Sequence, residues 1–314
     1  MDTLTFITFN LEFDGGPDEG GELPERWRQA HELLASRRPD VVHRQEMTHS
    51  RADGRARLHA AEQVLGMRGF LGPAGRGQHP TGIFIRPETF TVTREYERVW
   101  RSPPTNIITT LNDVPDVPII MVSWHNTPSS PCLREEEADD LSGLVGVGRH
   151  GGWIGSGDCN EYPAPDGETV APIDWDSDEV WDRPHVMART NPGPDGTRVS
   201  CTYLDRKLLG SGLHDPARYA AHTLRQRSAL DATAGHAPLA AGQGGPSRID
   251  RWYLDPWLVQ AVKEVNVLDT SEFSDHHAVE VVLDRRKAAA ALRREFDPLR
   301  PAQLAATAMA EAGP

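Results

Sequence analysis

Several short stretches of this 314-residue chain carry side chains suited to chemistry on a charged ester. One is Gly157-Asp158-Cys159-Asn160, which follows an apolar run and precedes a loop. If the backbone is still extended there, Asp158 and Asn160 share one face and Cys159 points toward the core. A carboxylate can bind a metal or orient water, and a neighbouring amide can donate to a phosphoryl oxygen. Taken alone, an Asp-x-Asn pair is more often a turn device.

A second stretch, Glu272-Phe-Ser-Asp-His-His-Ala-Val279, sets two histidines side by side after an aspartate. Strand alternation puts His277 in phase with Val279, Val281 and Leu283, an apolar face, and His276 on the opposite phase. Neighbours in a regular strand point apart, so Asp275 and His276 can reach one site only from a loop. The strand is therefore expected to begin near Ala278.

Four further positions are candidates only in company. Asn10 and Gln45-Glu46 end the first two strand-like runs, and a carboxylate at a strand end suits a hard cation. Singly, they read as a turn residue and a solvated acid. His125 closes the apolar run VPIIMVSWH, where proton transfer and a hydrogen-bonded structural role are both open. Asp250 lies inside RIDRWYL, where a carboxylate is costly unless paired. It could orient an imidazole or pair with a neighbouring arginine.

The elements that must position these residues follow from composition and periodicity. Strands are expected at 3–9, 41–46, 82–86, 106–111, 117–125, 152–158, 248–254 and 279–283. Helices are expected at 24–38, 51–66, 133–145 and 214–229, the first with Trp27, Ala30, Leu33 and Leu34 on one face. The interleaving is not a strict βαβ alternation, so a mixed α/β layered domain is expected over residues 1–284. Within it, 162–247 is rich in Pro, Gly and Asp with weak strand signal, and such segments often shape substrate choice. Its Trp175, Trp181 and Tyr203 could stack on a ring or pack. Arg183, Arg189 and Arg198 could read a second phosphate or balance nearby acids. Residues 285–314 read as an Ala-rich helical tail appended to the domain.

Cys132, Cys159 and Cys201 are odd in number and far apart, matching neither a disulfide framework nor zinc spacing. A reducing compartment fits better than secretion. The opening MDTLTFITFNLEF reads as a strand and lacks a basic leader. No run reaches the about 18 apolar residues of a membrane span. A cytoplasmic protein with no membrane insertion is expected, and no protein partner is evident. The net charge of −13 makes non-specific nucleic-acid binding weak, although a small basic face can sit on an acidic body.

The ordered set Asn10, Gln45-Glu46, His125, Asp158-x-Asn160, Arg248-Ile-Asp250, Ser274-Asp275-His276 resembles the endonuclease/exonuclease/phosphatase superfamily. That superfamily includes deoxyribonuclease I, abasic-site endonucleases, inositol-phosphate 5-phosphatases and bacterial sphingomyelinases. The match runs from about residue 3 to 283. The resemblance implies a four-layer α/β/β/α sandwich of two mixed sheets with outer helices. It also implies Mg²⁺-dependent hydrolysis of a phosphoester, with Mn²⁺ a substitute. By the resemblance, Glu46 is the principal metal ligand, Asn10 its neighbour, and Asp275 completes the metal shell. Asp158 orients or deprotonates the attacking water, and Asn160 binds the scissile phosphate. His276 contacts the phosphate or acts as acid/base, Asp250 holds its other ring nitrogen, and His125 is the second catalytic histidine.

The expected substrate is a phosphodiester, with nucleic acid open. The alternatives are a phosphatase or a phospholipase/sphingomyelinase-type hydrolase, and a non-catalytic module on the same scaffold. The chain departs from the pattern before Gln45-Glu46, where His43-Arg44 replaces apolar residues. Arg44 is therefore a candidate to enter the site and bind substrate, or to pair with an acid. The histidine at 125 is flanked by Trp124 and Asn126, and its supporting acid is not identifiable in the sequence.

Overall fold

The strand-forming runs assemble into two mixed sheets packed face to face. The computed structural model describes residues 2–18, 20–77, 79–98, 100–147, 151–169 and 172–299. In chain order the elements are β1 (Thr3–Asn10), α1 (Glu25–Ser36), β2 (Val41–Gln45), α2 (Ala56–Leu65), β3 (Arg68–Leu71), β4 (Gly82–Ile85) and β5 (Phe90–Tyr96). They continue with β6 (Thr105–Leu111), β7 (Val114–His125), α3 (Pro131–Val147), β8 (Gly152–Asp158), α4 (Arg183–Arg189), β9 (Thr190–Pro192) and β10 (Arg198–Ser200). The last are α5 (Tyr203–Gly210), α6 (Pro216–Thr223), β11 (Asp250–Leu254), β12 (Val262–Leu268), β13 (Ala278–Asp284) and α7 (Arg285–Leu292).

One sheet has the order β12-β13-β1-β2-β4-β3 and the other β11-β8-β7-β6-β5. Only β1/β2 and β7/β8 pair in parallel within them. Between the sheets lie Phe6, Ile83, Ile107, Met121, Ile154, Trp252 and Val281. Outside the first sheet, Ile7, Phe9, Val42 and Phe84 pack on Trp27, Leu34 and Leu58 of α1 and α2. Outside the second, Ile120, Val122, Trp153 and Tyr253 pack on Leu141 and Leu144 of α3 and Leu204 and Leu208 of α5. Each central strand thus buries both faces, which gives four layers, α/β/β/α. Near one end the inter-sheet space turns polar: His43 Nδ1 meets Ser156 Oγ at 2.8 Å, and Gln45 Nε2 donates to Ser123 Oγ at 3.2 Å.

Arg44 goes the other way. Because His43 and Gln45 face the second sheet, alternation turns Arg44 outward under α1. There its Nη2 donates to Asp14 Oδ1 at 3.2 Å and its Nη1 to His31 Nε2 at 2.7 Å, with Arg44 fully buried. This corrects the expectation that Arg44 binds substrate; the ion-pair alternative is what the structure contains. Arg44→Met should cost about 3 kcal/mol, the low end for breaking a buried pair, because Arg57 and Ser50 still face Asp14. Urea unfolding checks this, and a loss below about 1 kcal/mol, the scale of an exposed pair, would contradict it.

The region 162–247 is not irregular throughout. It holds α4, the β9/β10 hairpin, α5 and α6. Buried charge ties it to β11: Arg248 pairs with Glu168 and Asp215, and Arg218 pairs with Glu168 and Asp205. After β13 comes α7, whose Ala288 and Leu292 join the inter-sheet core cluster and so are not an appendage. Residues 300–314 lie outside the described residues.

Candidate active site

Sheet register brings the predicted residues to one end of the sandwich. Parallel pairing of β7 with β8 sets His125 opposite Asp158. Antiparallel pairing of β8 with β11 sets Asp158 opposite Asp250. In the facing sheet, parallel β1 and β2 set Asn10 opposite Gln45, with Glu46 the next residue. The loop entering β13 is tied to β1 by Ser274 Oγ, which donates to the carbonyl of Asn10 at 2.7 Å. That loop delivers Asp275 and His276, and β13 begins at Ala278 as alternation requires.

Glu46 has φ of 53°, a left-handed conformation that costs a non-glycine residue about 1–3 kcal/mol. Its carboxylate accepts from Phe13 N at 2.8 Å and Asn10 Nδ2 at 3.3 Å. The turn at Glu46 aims it back across the sheet end and not along β2.

Asp158 Oδ2 is the centre of the cluster. Asn10 Nδ2 lies 3.1 Å away, Asn160 Nδ2 3.2 Å, His125 Nε2 3.4 Å and His276 Nε2 3.8 Å. On its other nitrogen, His276 Nδ1 meets Asp250 Oδ2 at 2.8 Å. Among the described residues, Asp250 pairs with this imidazole and with no arginine; Thr233 Oγ1 also donates to it, at 2.8 Å. Asp275 sits at the exposed rim, 4.0 Å from His276 Nε2.

The electrostatics follow from burial of mixed charge. For His276, desolvation would lower the pKa, but Asp250 and Asp158 outweigh it and push it up to about 10. His125 is likewise raised, Asp158 and Glu46 overcoming burial. Desolvation would raise Asp158, yet the two imidazoles hold it well below the usual carboxylate range. Their mutual attraction favours an ionised Asp158 beside protonated imidazoles.

Asn160 departs from expectation. The chain turns left-handed there, with φ of 50°, so Asp158 and Asn160 do not share a strand face. They meet through a side-chain turn instead, Asn160 N donating to Asp158 Oδ1 at 2.8 Å. Cys159 is fully buried, as read. Asn160 Nδ2 also donates to Asn126 O at 2.8 Å, and Arg189 Nη2 donates to Asn160 Oδ1 at 2.6 Å. Arg189 Nη1 also donates to the Asn160 carbonyl. Arg189, at the end of α4, therefore clamps Asn160, a role invisible in its neighbours in sequence. Thr233 is the other support that sequence reasoning missed, since it lies in a loop with no periodic signal.

Other candidates fall elsewhere. His277 is half-buried, 4.2 Å from the His236 ring, and its Nδ1 accepts from Thr270 N at 3.2 Å. Trp175 packs in the core, Tyr203 bonds Asp139, and Arg198 bonds Thr190. His125 has His79 edge-on at 6.2 Å between ring centroids, and no carboxylate among the described residues bonds its Nδ1.

The donor set suits an oxygen-loving cation. Asn10 Oδ1 is buried without a hydrogen-bond partner among the described residues, beside the Glu46 carboxylate. Asp158, Asp250 and His276 also lie within 4.8 Å of one another, although the His276 Nδ1 to Asp250 hydrogen bond occupies that pair.

No family model and no curated protein matches the sequence. Solved structures do match. The 3'-5' exonuclease NExo from Neisseria meningitidis aligns at 20% identity and TM-score 0.58, over 90% of this chain and 100% of that one. An AP endonuclease from Archaeoglobus fulgidus aligns at 14% and 0.59, over 90% and 99%. An endonuclease/exonuclease/phosphatase family protein from Bacteroides thetaiotaomicron aligns at 17% and 0.55, over 90% and 97%. At these identities the likeness is one of fold, and the chain has the four-layer fold of the endonuclease/exonuclease/phosphatase proteins.

Proposed function

We propose that this protein is a divalent-metal-dependent hydrolase that cleaves a phosphodiester by attack of water. The observation that carries the reading is the convergence of two amides and two imidazoles on Asp158 Oδ2, with Asp250 bonded behind His276. Such a ring of donors around one carboxylate suits a dianionic transition state. The names of the fold neighbours, an exonuclease and an AP endonuclease, support the same reaction class.

Glu46 and Asn10 Oδ1 would hold the cation, with Asp275 at the rim. Mg²⁺ or Mn²⁺ there would neutralise phosphoryl charge. The remaining chemistry belongs to the chain. Asp158, ionised and flanked by donors, orients the attacking water and takes its proton as the bond to phosphorus forms. A carboxylate held this low is a weak base, so orientation is its larger share. His276, fixed through Nδ1, presents an Nε2–H to a phosphoryl oxygen. His125 presents its Nε2–H to the leaving oxygen and protonates it as the P–O bond breaks. Asn160 donates to the phosphate by exchanging its longer bond, the one to Asp158, and Arg189 keeps the carboxamide aimed. Cavities of about 280 Å³ beside His125 and about 200 Å³ beside His276 flank this centre. Space on both sides favours a diester over a terminal monoester.

Purified protein tested with Mg²⁺, Mn²⁺ or EDTA on a generic diester, a monoester, DNA and a sphingomyelin-like lipid decides this. Diester cleavage that metal supports and EDTA reduces to background is expected. Cleavage that survives EDTA, or cleavage confined to the monoester, would reject it; cleavage confined to the lipid, itself a phosphodiester, would keep the reaction and assign a lipid substrate.

A further inference from the structure

We infer that the groove on the His125 side is a binding subsite for one unpaired nucleotide of a polynucleotide chain, with His79 of its lining and the adjacent Phe13 as its ring platform and Arg76 and Arg101 as its phosphate contacts. The inference rests on the phosphodiesterase reading and adds a substrate class to it.

Charge is the first observation. The chain carries −13 overall, yet the groove is lined by Arg76, Arg101, His79 and His125 with no carboxylate among its lining residues. Glu137 lies beneath the floor, where the hydroxyls of Ser102 and Thr127 and the Thr127 N–H consume its oxygens. Arg76 and Arg101 are exposed and form no ion pair with the described residues. A local cationic lining beside a phosphoester centre is a place for a second phosphate.

The second observation is an aromatic path from the centre outward. His79 stands 6.2 Å from His125, and Phe13 stands 5.7 Å from His79. Phe13 is 51% exposed. Its backbone is held in place: its N–H donates to Glu46, and the backbone is left-handed, with φ of 50°. His79 is fixed by Thr48 Oγ1 at 2.9 Å from Nδ1. An exposed ring anchored beside a cationic groove suits a base, because every base offers a π-face. A base paired in a duplex keeps that face stacked on its neighbours, so the occupant is single-stranded.

The groove is built and not a chance gap between loops. Arg76 N donates to Arg101 O at 3.1 Å. Gly75, with φ of 60°, lets the two loops close: a Cβ there would stand 2.4 Å from Pro103 Cδ and 2.6 Å from Arg101 O. The two arginines are therefore carried by one packed unit.

The test measures binding and turnover together. Fluorescein-labelled dT12, its duplex with dA12, and methyl p-nitrophenyl phosphate serve as probes, with wild type, Phe13→Leu and Arg76→Gln/Arg101→Gln. Anisotropy with EDTA present reads the subsite independently of turnover. Phe13→Leu should weaken dT12 binding about ten-fold, the scale of one base stacked on a ring. The double arginine variant should weaken it further and flatten its salt dependence. Wild type should bind dT12 more tightly than the duplex. Where the small ester is cleaved, the variants should lose far more kcat/KM on dT12 than on it. Phe13→Trp, which keeps a ring, should bind dT12 as wild type does; a loss equal to that of Phe13→Leu would trace the effect to a disturbed Glu46 and not to stacking, and would overturn the platform. Equal dT12 affinity in wild type and Phe13→Leu, or equal proportional losses on dT12 and the small ester, would overturn the subsite. Wild type that binds dT12 as described but cleaves neither substrate with Mg²⁺ or Mn²⁺ would reject the hydrolase reading and leave the subsite standing.

Discussion

His276→Ala should lower kcat/KM on a phosphodiester by about 10²–10⁴-fold, the range for a positioned proton-transfer group. His277→Ala should leave turnover within a few-fold and cost about 1 kcal/mol, the scale of one hydrogen bond. The asymmetry comes from geometry. His276 sits 2.8 Å from Asp250 and 3.8 Å from Asp158. His277 packs against the His236 ring and accepts a backbone N–H from Thr270. Equal loss of activity in the two variants, at matched folding, would refute the assignment.

His276 also makes a pH prediction. Its folded pKa, pushed up to about 10, lies above the ordinary histidine value of 6.5. Protonation is therefore favoured in the folded state, and the stability it confers is complete below 6.5. It is lost as pH rises from there through about 10. In metal-free protein, the stability gap between wild type and His276→Gln should shrink over that window. Urea unfolding at three pH values reads it, and a gap that grows with pH would contradict the ion pairing.

Asp158→Asn is the second large effect. Its carboxylate is the acceptor on which four donors converge, and an amide there offers no negative charge to orient them. A loss of about 10³-fold in kcat is expected, within the range for removing a general base. KM should move little, since His276, Asn160 and Glu46 remain. The same substitution removes a principal cause of the raised His125 and His276 values. Both imidazoles should then titrate at lower pH than in wild type, which NMR of metal-free protein would follow. Unchanged titration of both rings would show that Asp158 is not the electrostatic centre.

Much of the scaffold was legible. All eight expected strands appear, each within three residues of its expected ends, because their β-branched and apolar runs are bounded by polar turns. Five strands were missed, the β9/β10 hairpin among them, and three of these misses have identifiable reasons. β5 reads Phe-Thr-Val-Thr-Arg-Glu-Tyr and β12 reads Val-Lys-Glu-Val-Asn-Val-Leu, both edge strands with mostly solvated side chains. β3 is four residues long and contains Gly69. Their strand state is imposed by pairing with a neighbour, which composition does not record.

The site was legible as an ordered set of residue types, and its supports were not. Arg189 reaches Asn160 across 29 residues, and Thr233 reaches Asp250 across 17. No local spacing announces either contact. Arg44 illustrates a different limit. Every residue of β2 is buried, so alternation separates two faces without saying which one looks into the sandwich.

By itself the sequence determined the types and order of the chemical groups, the strand ends that display them, and the phase that separates His276 from His277. Those properties are local, set by a period of two residues and by turn chemistry. Only the tertiary structure decided that Asp158 would lie between His125 and Asp250, that Arg44 would turn away to Asp14, and that Phe13 would stand beside His79. Those outcomes depend on strand register and on which sheet face is covered. Both are fixed by pairings between residues far apart in the chain.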